Sequence, residues 1–183
     1  TFEELTGFQL SGFPVMGSWF SYGLGAETEN LPTYVVLPDT RGYPAGGTIN
    51  WSNGFLSSAH QGVAFGNGET IIPDLKPAQP IAPGTEAASR KLLAALNADD
   101  QENFGAEDAL IARMKSHELA ARMQLTIPEI ADLNRESAAT RNNYGLNKDE
   151  TKDFGRNCLM TRRLLEKGVR FVQLISGGSF GSP

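Results

Sequence analysis

Cysteine is nearly absent from this sequence. Cys158 stands alone, so no disulfide can close within the chain and the small stapled scaffolds are excluded. Histidine is almost as scarce. His60 and His117 are the whole supply, and no close cluster of His and Asp offers the converging ligands that metal-assisted ester hydrolysis requires. A basic excess is missing too: 16 Lys and Arg against 21 Asp and Glu give a net charge of −5, with the signs intermixed. That excludes the basic patch on which nucleic-acid binding depends, and no nucleic-acid partner is expected. No apolar run is long enough to cross a bilayer as a helix. No secretory leader opens the chain either: Thr1 is not an initiator, and Glu3 and Glu4 precede no apolar stretch. A processed or cut chain is therefore expected rather than a complete gene product.

What is present fits one α/β domain. The 183 residues suffice for a real core, with 40% hydrophobic residues. Gly 20 and Pro 10 point to a good share of loop. The character changes at about residue 85: residues 1–84 read as loop-rich with one helix and one strand, residues 85–183 as helical and ending in a buried strand. Arg41 to Gly47 and Gly66 to Gly84 read as ordered loop. Pro14 to Leu24 predicts a short helix, with Pro in the first turn and Gly23 and Gly25 closing it. Tyr34 to Leu37 predicts a short buried strand between Pro32 and Pro38. Thr85 is expected to cap a helix carrying Leu92, Leu93 and Leu96. A longer helix from about Ala106 to Leu125 would bury the stripe Leu110, Met114, His117, Ala121 and Leu125. Thr126-Ile127-Pro128-Glu129 reads as a capping box that opens a new helix from Pro128 to about Ala138. The last helix, about Thr151 to Lys167, sets Phe154, Cys158, Thr161 and Leu165 on one face. Gly168 stops it in a left-handed conformation, with Lys167 near the negative end of the helix dipole. Val169 to Ile175 then predicts a strand apolar enough to be covered on both faces, as in a parallel sheet.

Two strands do not make an independently stable sheet, so further chain is expected to complete it and an open edge is expected near Phe171. The final strand runs into Gly177-Gly178, where ligands bind in open α/β folds.

Several blocks carry a resemblance. They are Gly12-Phe13-Pro14-Val15-Met16-Gly17-Ser18-Trp19-Phe20-Ser21-Tyr22-Gly23-Leu24-Gly25, Asn30-Leu31-Pro32-Thr33-Tyr34-Val35-Val36-Leu37, Asn50-Trp51-Ser52-Asn53-Gly54-Phe55-Leu56 and His60-Gln61-Gly62. Further on come Glu118-Leu119-Ala120-Ala121-Arg122-Met123-Gln124, Pro128-Glu129, Tyr144-Gly145 and the run from Cys158 through Gly168 to Gln173. In this order they resemble a family of uncharacterised bacterial sulfatase-like proteins, often exported by the twin-arginine route, in the alkaline phosphatase-like superfamily. The resemblance implies a three-layer α/β domain: a mostly parallel central sheet flanked by helices, of which this chain is an interior part. It implies a periplasmic or extracellular location. It also implies a parent protein hydrolysing sulfate or phosphate esters of a small molecule or polysaccharide with a divalent metal. The relatives' Gly-rich, Asp-containing segment and their Trp-Asp-x-His-like and Asp-His segments have no counterpart here, so no cofactor is expected within this chain. The contrasting expectation is a catalytically silent binding or structural protein on the same scaffold.

Individual residues add little chemistry. Asn50, Asn53, His60, Gly177 and Gly178 are the candidates for lining a pocket. His60 sits in a polar turn near the two asparagines, where a loop hydrogen-bonding role is the simpler reading. His117 falls on an apolar stripe and reads as packing. Ser18 follows Gly17, but no Gly-x-Ser-x-Gly elbow surrounds it. Arg162-Arg163 reads as a solvated face rather than an anion grip. Trp19 and Trp51 read as core aromatics.

Overall fold

The computed structural model describes residues 2–66, 72, 82, 84–105 and 107–177. Its centre is a parallel three-stranded sheet. β1 is Tyr34–Leu37, β2 is Val63–Ala64 and β3 is Phe171–Leu174, in the order β2-β1-β3. Tyr34 pairs with Phe171 and Leu37 with Leu174, while Val35 pairs with Val63. The expected strands and their parallel direction are both present. β2 is an addition, too short at two residues to give any period-two signal.

β1 is central, and all four of its residues are buried. Side chains alternate across a strand, so the sheet feeds two cores. Val35 and Leu37 join Phe65, Met123, Ile127, Ile130, Met160 and Leu164 on one face. Tyr34 and Val36 join Val15 and Trp51 on the other. Tyr34 is tightly enclosed: a Cβ added to Gly17 would lie 2.5 Å from its ring, and one added to Gly62 would lie 2.7 Å away. The phenolic hydroxyl donates to the Gln173 side chain, and burial pushes its pKa upward. β3 is half-buried along its length rather than covered on both faces, because among the described residues no strand pairs beyond it. The open edge expected near Phe171 is thus the outer side of β3.

Among the described residues there are six α-helices: α1 Phe2–Thr6, α2 Met16–Leu24, α3 Thr85–Phe104, α4 Asp108–Ala131, α5 Ala138–Asn143 and α6 Lys152–Glu166. α2 packs on β1 and β3, and α4 and α6 cover the opposite face. Short 3-10 turns occupy Gly47–Trp51, Ser58–His60 and Leu133–Arg135. Gly168 ends α6 at φ 94°, the left-handed stop expected from the sequence, and the Val169 N–H closes on the Leu164 carbonyl at 3.1 Å.

Several local expectations are corrected. No helix begins at Thr126. α4 runs through it to Ala131 with Pro128 inside, and the Thr126 hydroxyl donates back to the Arg122 carbonyl at 3.5 Å. A proline inside a helix costs about 3 kcal/mol. Ile127 and Ile130 are each 1% exposed in the core. Burying each contributes about 1.5–3 kcal/mol, enough to hold the helix together across the proline. The buried residues of α4 are Ala112, Met123, Ile127 and Ile130. His117 and Leu125, on the expected stripe, are exposed. α6 is likewise turned by about one residue: Gly155, Leu159, Met160 and Leu164 are buried, whereas Phe154 and Leu165 are exposed. Thr85 is the first residue of α3, and the cap position belongs to Gly84 without a side-chain hydrogen bond. Ala106 and most of 66–84 lie outside the described residues.

Candidate functional site

The end of β1 supplies the first residues of the site. Pro38 stops the strand, and Asp39, Thr40 and Arg41 turn back over its carboxyl end. Asp39 Oδ1 accepts from the Arg41 backbone N–H at 2.9 Å and from Arg41 Nε at 2.8 Å. Oδ2 accepts from Arg41 Nη2 at 2.8 Å and from the Gly177 N–H at 3.2 Å. The side-chain hydrogen bond from Arg41 is the largest influence on the Asp39 carboxyl and holds it well below the usual carboxylate range. Asp39 thereby ties the turn after β1 to the turn after β3.

α6 builds the opposite wall. Thr40 Oγ1 donates to Asp153 Oδ2 at 3.3 Å, and Asn157 Nδ2 donates to the Pro38 carbonyl at 3.0 Å. The cleft so formed has a volume of about 320 Å³ and is lined by Asp39, Arg41, Glu150, Asp153, Asn157 and Ser176 among others. It lies at the carboxyl ends of two parallel strands, where open α/β sheets bind ligands.

The sequence candidates distribute unevenly around this cleft. Gly177 stands behind its lining, donating its N–H to Asp39 Oδ2, and its neighbour Ser176 lines the cleft. Gly178 lies outside the described residues. Asn50 is 1% exposed, with Nδ2 donating to the Ala45 and Gly47 carbonyls at 2.9 and 3.1 Å, and its Oδ1 is buried without a partner. Its backbone carbonyl accepts from Gln173 Nε2 at 3.4 Å, and the residue borders a separate hollow with Phe2, Gln9 and Ile49 rather than the cleft. Asn53 closes its own turn on the Leu56 carbonyl. His60 Nδ1 lies 3.0 Å from Ser21 Oγ, with Tyr22 edge-on to its ring, and so fastens the Ser58–His60 turn to α2.

Two further readings change, those of Arg162-Arg163 and Trp19, while that of Ser18 stands. Arg162 and Arg163 do not form a solvated face. Both grip Glu136 Oε1, at 2.7 and 3.2 Å, and the Arg163 side chain is only 12% exposed. The anion they hold is an internal carboxylate, and hydrogen bonding to Arg162 lowers the Glu136 pKa. Trp51 is buried at 2% exposure, but Trp19 stands out at 46%. Ser18 is fully buried and donates to the Ser52 carbonyl at 3.2 Å, so its hydroxyl is structural.

Asp39, Arg41, Asp153 and Asn157 escaped the sequence reading. The signal was available in Pro38-Asp39 directly after the central strand: the rule that ligands bind past strand ends applies to β1 as much as to β3. Among the described residues no three His, Cys, Asp or Glu side chains come together in a way that could hold a metal ion. No helix among them is long and apolar enough to cross a membrane. No curated protein and no solved structure matches the chain. One family model does, over residues 3–180, nearly the full length: the chain belongs to DUF1501, a family of proteins of unknown function.

Proposed function

We propose that the chain forms one wall of an ester-binding cleft in an exported, sulfatase- and phosphatase-like hydrolase whose substrate is a sulfate or phosphate ester of a small molecule or polysaccharide. The observation that carries this reading is the cleft between Asp39 and α6 at the carboxyl ends of β1 and β3. The reaction class rests on the sequence resemblance and on fold analogy. The described residues do not fit a catalytic metal, because no ligand set converges among them. No step is therefore derived through one, and in this reading the ligands and nucleophile come from chain beyond these residues. What these residues do is shape the cleft: Asp39 positions the Gly177 turn, and Thr40 and Asn157 hold α6 against β1.

One observation favours a second reading, a catalytically silent binding scaffold. Both Asp39 oxygens are taken up by Arg41 and Gly177, which leaves the best-placed carboxylate committed to structure. Assays with aryl phosphates and aryl sulfates, with Zn²⁺, Ca²⁺ or Mg²⁺ added, separate the two. Under the hydrolase reading the 183-residue chain gives background rates, and the same chain within its longer native protein turns over one ester class. Background rates from both would leave the silent scaffold. Turnover by the 183-residue chain that vanishes in His60→Ala would overturn the placement of the site.

A further inference from the structure

The outer side of α2 carries a feature that the cleft does not use. Six rings form a continuous row across α2 and the two loops beside it. Phe8 stacks on Phe13 at 3.9 Å between centroids, and Phe13 meets Phe55 edge-on at 6.3 Å. Phe55 meets Trp19 at 5.7 Å, Trp19 meets Tyr22 at 6.1 Å, and Tyr22 meets His60 at 5.5 Å. Four of them are well exposed: Phe8 49%, Trp19 46%, Tyr22 60% and Phe55 66%. Exposed aromatic patches of this extent mark interaction surfaces.

Charge decides what such a surface can take. A fifth of the chain is charged, yet residues 5–26 and 42–66, which supply the row, contain no Asp, Glu, Lys or Arg. Their polar residues are Ser, Thr, Asn, Gln, Tyr and His. Lys115 of α4 comes near the His60 end of the row, sharing a hollow with Ser21, Ser58 and Ala59. The segments that supply the rings carry no cation of their own, and nucleic acid or anionic lipid headgroups are held by clusters of Lys and Arg. Aromatic faces bordered by amides and hydroxyls match a ligand with C–H faces and a hydroxyl rim. Tyr and Trp are suited to just such half-apolar, half-wet contacts. Neutral carbohydrate has that chemistry. Trp19 is turned 72° to Phe55 and 80° to Tyr22, so the row is ribbed rather than flat. That contour suits a single flexible glycan chain better than a flat crystalline face.

We propose that the aromatic row from Phe8 through Trp19 to His60 is a binding surface for a neutral polysaccharide chain. The assignment stands whether or not the scaffold is catalytic, and its test reads binding alone. Trp51 is buried, so among the chain's two tryptophans Trp19 is the one that reports on this surface. Tryptophan emission is followed while neutral gluco-, manno- and galacto-hexasaccharides are added, with oligogalacturonate as the charged comparison. A saturable blue shift with a Kd below about 10 mM, insensitive to salt, is expected for at least one neutral sugar and not for the charged one. Calorimetry with the same sugar should then show binding lost in Trp19→Ala, weakened about tenfold or more in Tyr22→Ala and Phe55→Ala, and unchanged in Tyr43→Ala. Circular dichroism of each variant checks that the fold persists. The proposal is overturned if no neutral sugar saturates, if Trp19→Ala binds as well as the parent, or if the row instead buries against a second copy. The last would appear in sedimentation as a dimer that Trp19→Ala dissociates.

Discussion

The sheet body and the α3 helix use the same side chains to opposite ends. In the body, Met160 and Leu164 on α6 are buried in the core that holds Val35, Ile127 and Ile130. On α3, Leu92, Leu93 and Leu96 are 62%, 51% and 57% exposed, and every residue from Thr85 to Leu96 is exposed. Both segments have helical periodicity, and each was expected to carry an apolar face: Leu92, Leu93 and Leu96 on α3, and Phe154, Cys158, Thr161 and Leu165 on α6. Periodicity says that a helix has an apolar side. It says nothing about what, within the same chain, lies against that side.

The largest effect should separate the two regions directly. Leu164→Ala opens a cavity in the main core and is expected to lower stability by about 2–5 kcal/mol in urea or guanidinium unfolding. Leu96→Ala, made on α3, should stay within about 0.5 kcal/mol, since it touches no core and Ala is the better helix former. Comparable losses from both substitutions would show that α3 is packed and would break the contrast.

Next in size is Gly168→Val, at the junction between α6 and β3. The φ of 94° is strained for any side chain, and a Cβ there would sit 3.3 Å from Thr28. A loss on the order of 1 kcal/mol or more is expected in the same measurement. A neutral result would mean that the turn can relax without disturbing the body.

The smallest effect concerns pH. The folded-state pKa of Asp39 is depressed, chiefly by its hydrogen bond to Arg41. Its contribution is therefore fully present above the ordinary unfolded value of about 3.9 and is shed as pH falls through the lower folded value. Stability measured from pH 7 downward should fall in that acid window, and less steeply in Asp39→Asn. Equal slopes for parent and variant would remove Asp39 as the link between the β1 and β3 turns.

These contrasts also show where the sequence was legible. β1 and β3 were readable because each is a short apolar run bounded by Pro or Gly, and their parallel direction followed from the helices between them. Gly168 was readable because a left-handed stop has few chemical substitutes. Pro128 misled because local capping chemistry at Thr126 and Glu129 suggested a new helix, while the deciding term was the burial of Ile127 and Ile130 against residues distant in sequence. α6 misled by one residue because two adjacent apolar rows run along it, and periodicity alone does not choose between them. Of the cleft, the Gly177 turn was legible. Asp39 was not, because its role exists only once the chain after β3 returns to donate a hydrogen bond from Gly177.

Tyr34 has a consequence for synthesis. Its ring is held between Gly17 and Gly62, and its hydroxyl ends on Gln173, 139 residues later in the chain. One side chain thus pins the neighbourhoods of α2, β2 and β3 at once, and its contact to β3 is not made until Gln173 arrives. A ribosome adding about 5–20 residues per second leaves the emerging β1 waiting on the order of ten seconds for its partner. During that interval the edge of Tyr34–Leu37 that meets β3 is an unpaired apolar edge, β2 being the only neighbour already made among the described strands, and anything that shields it has that long to act.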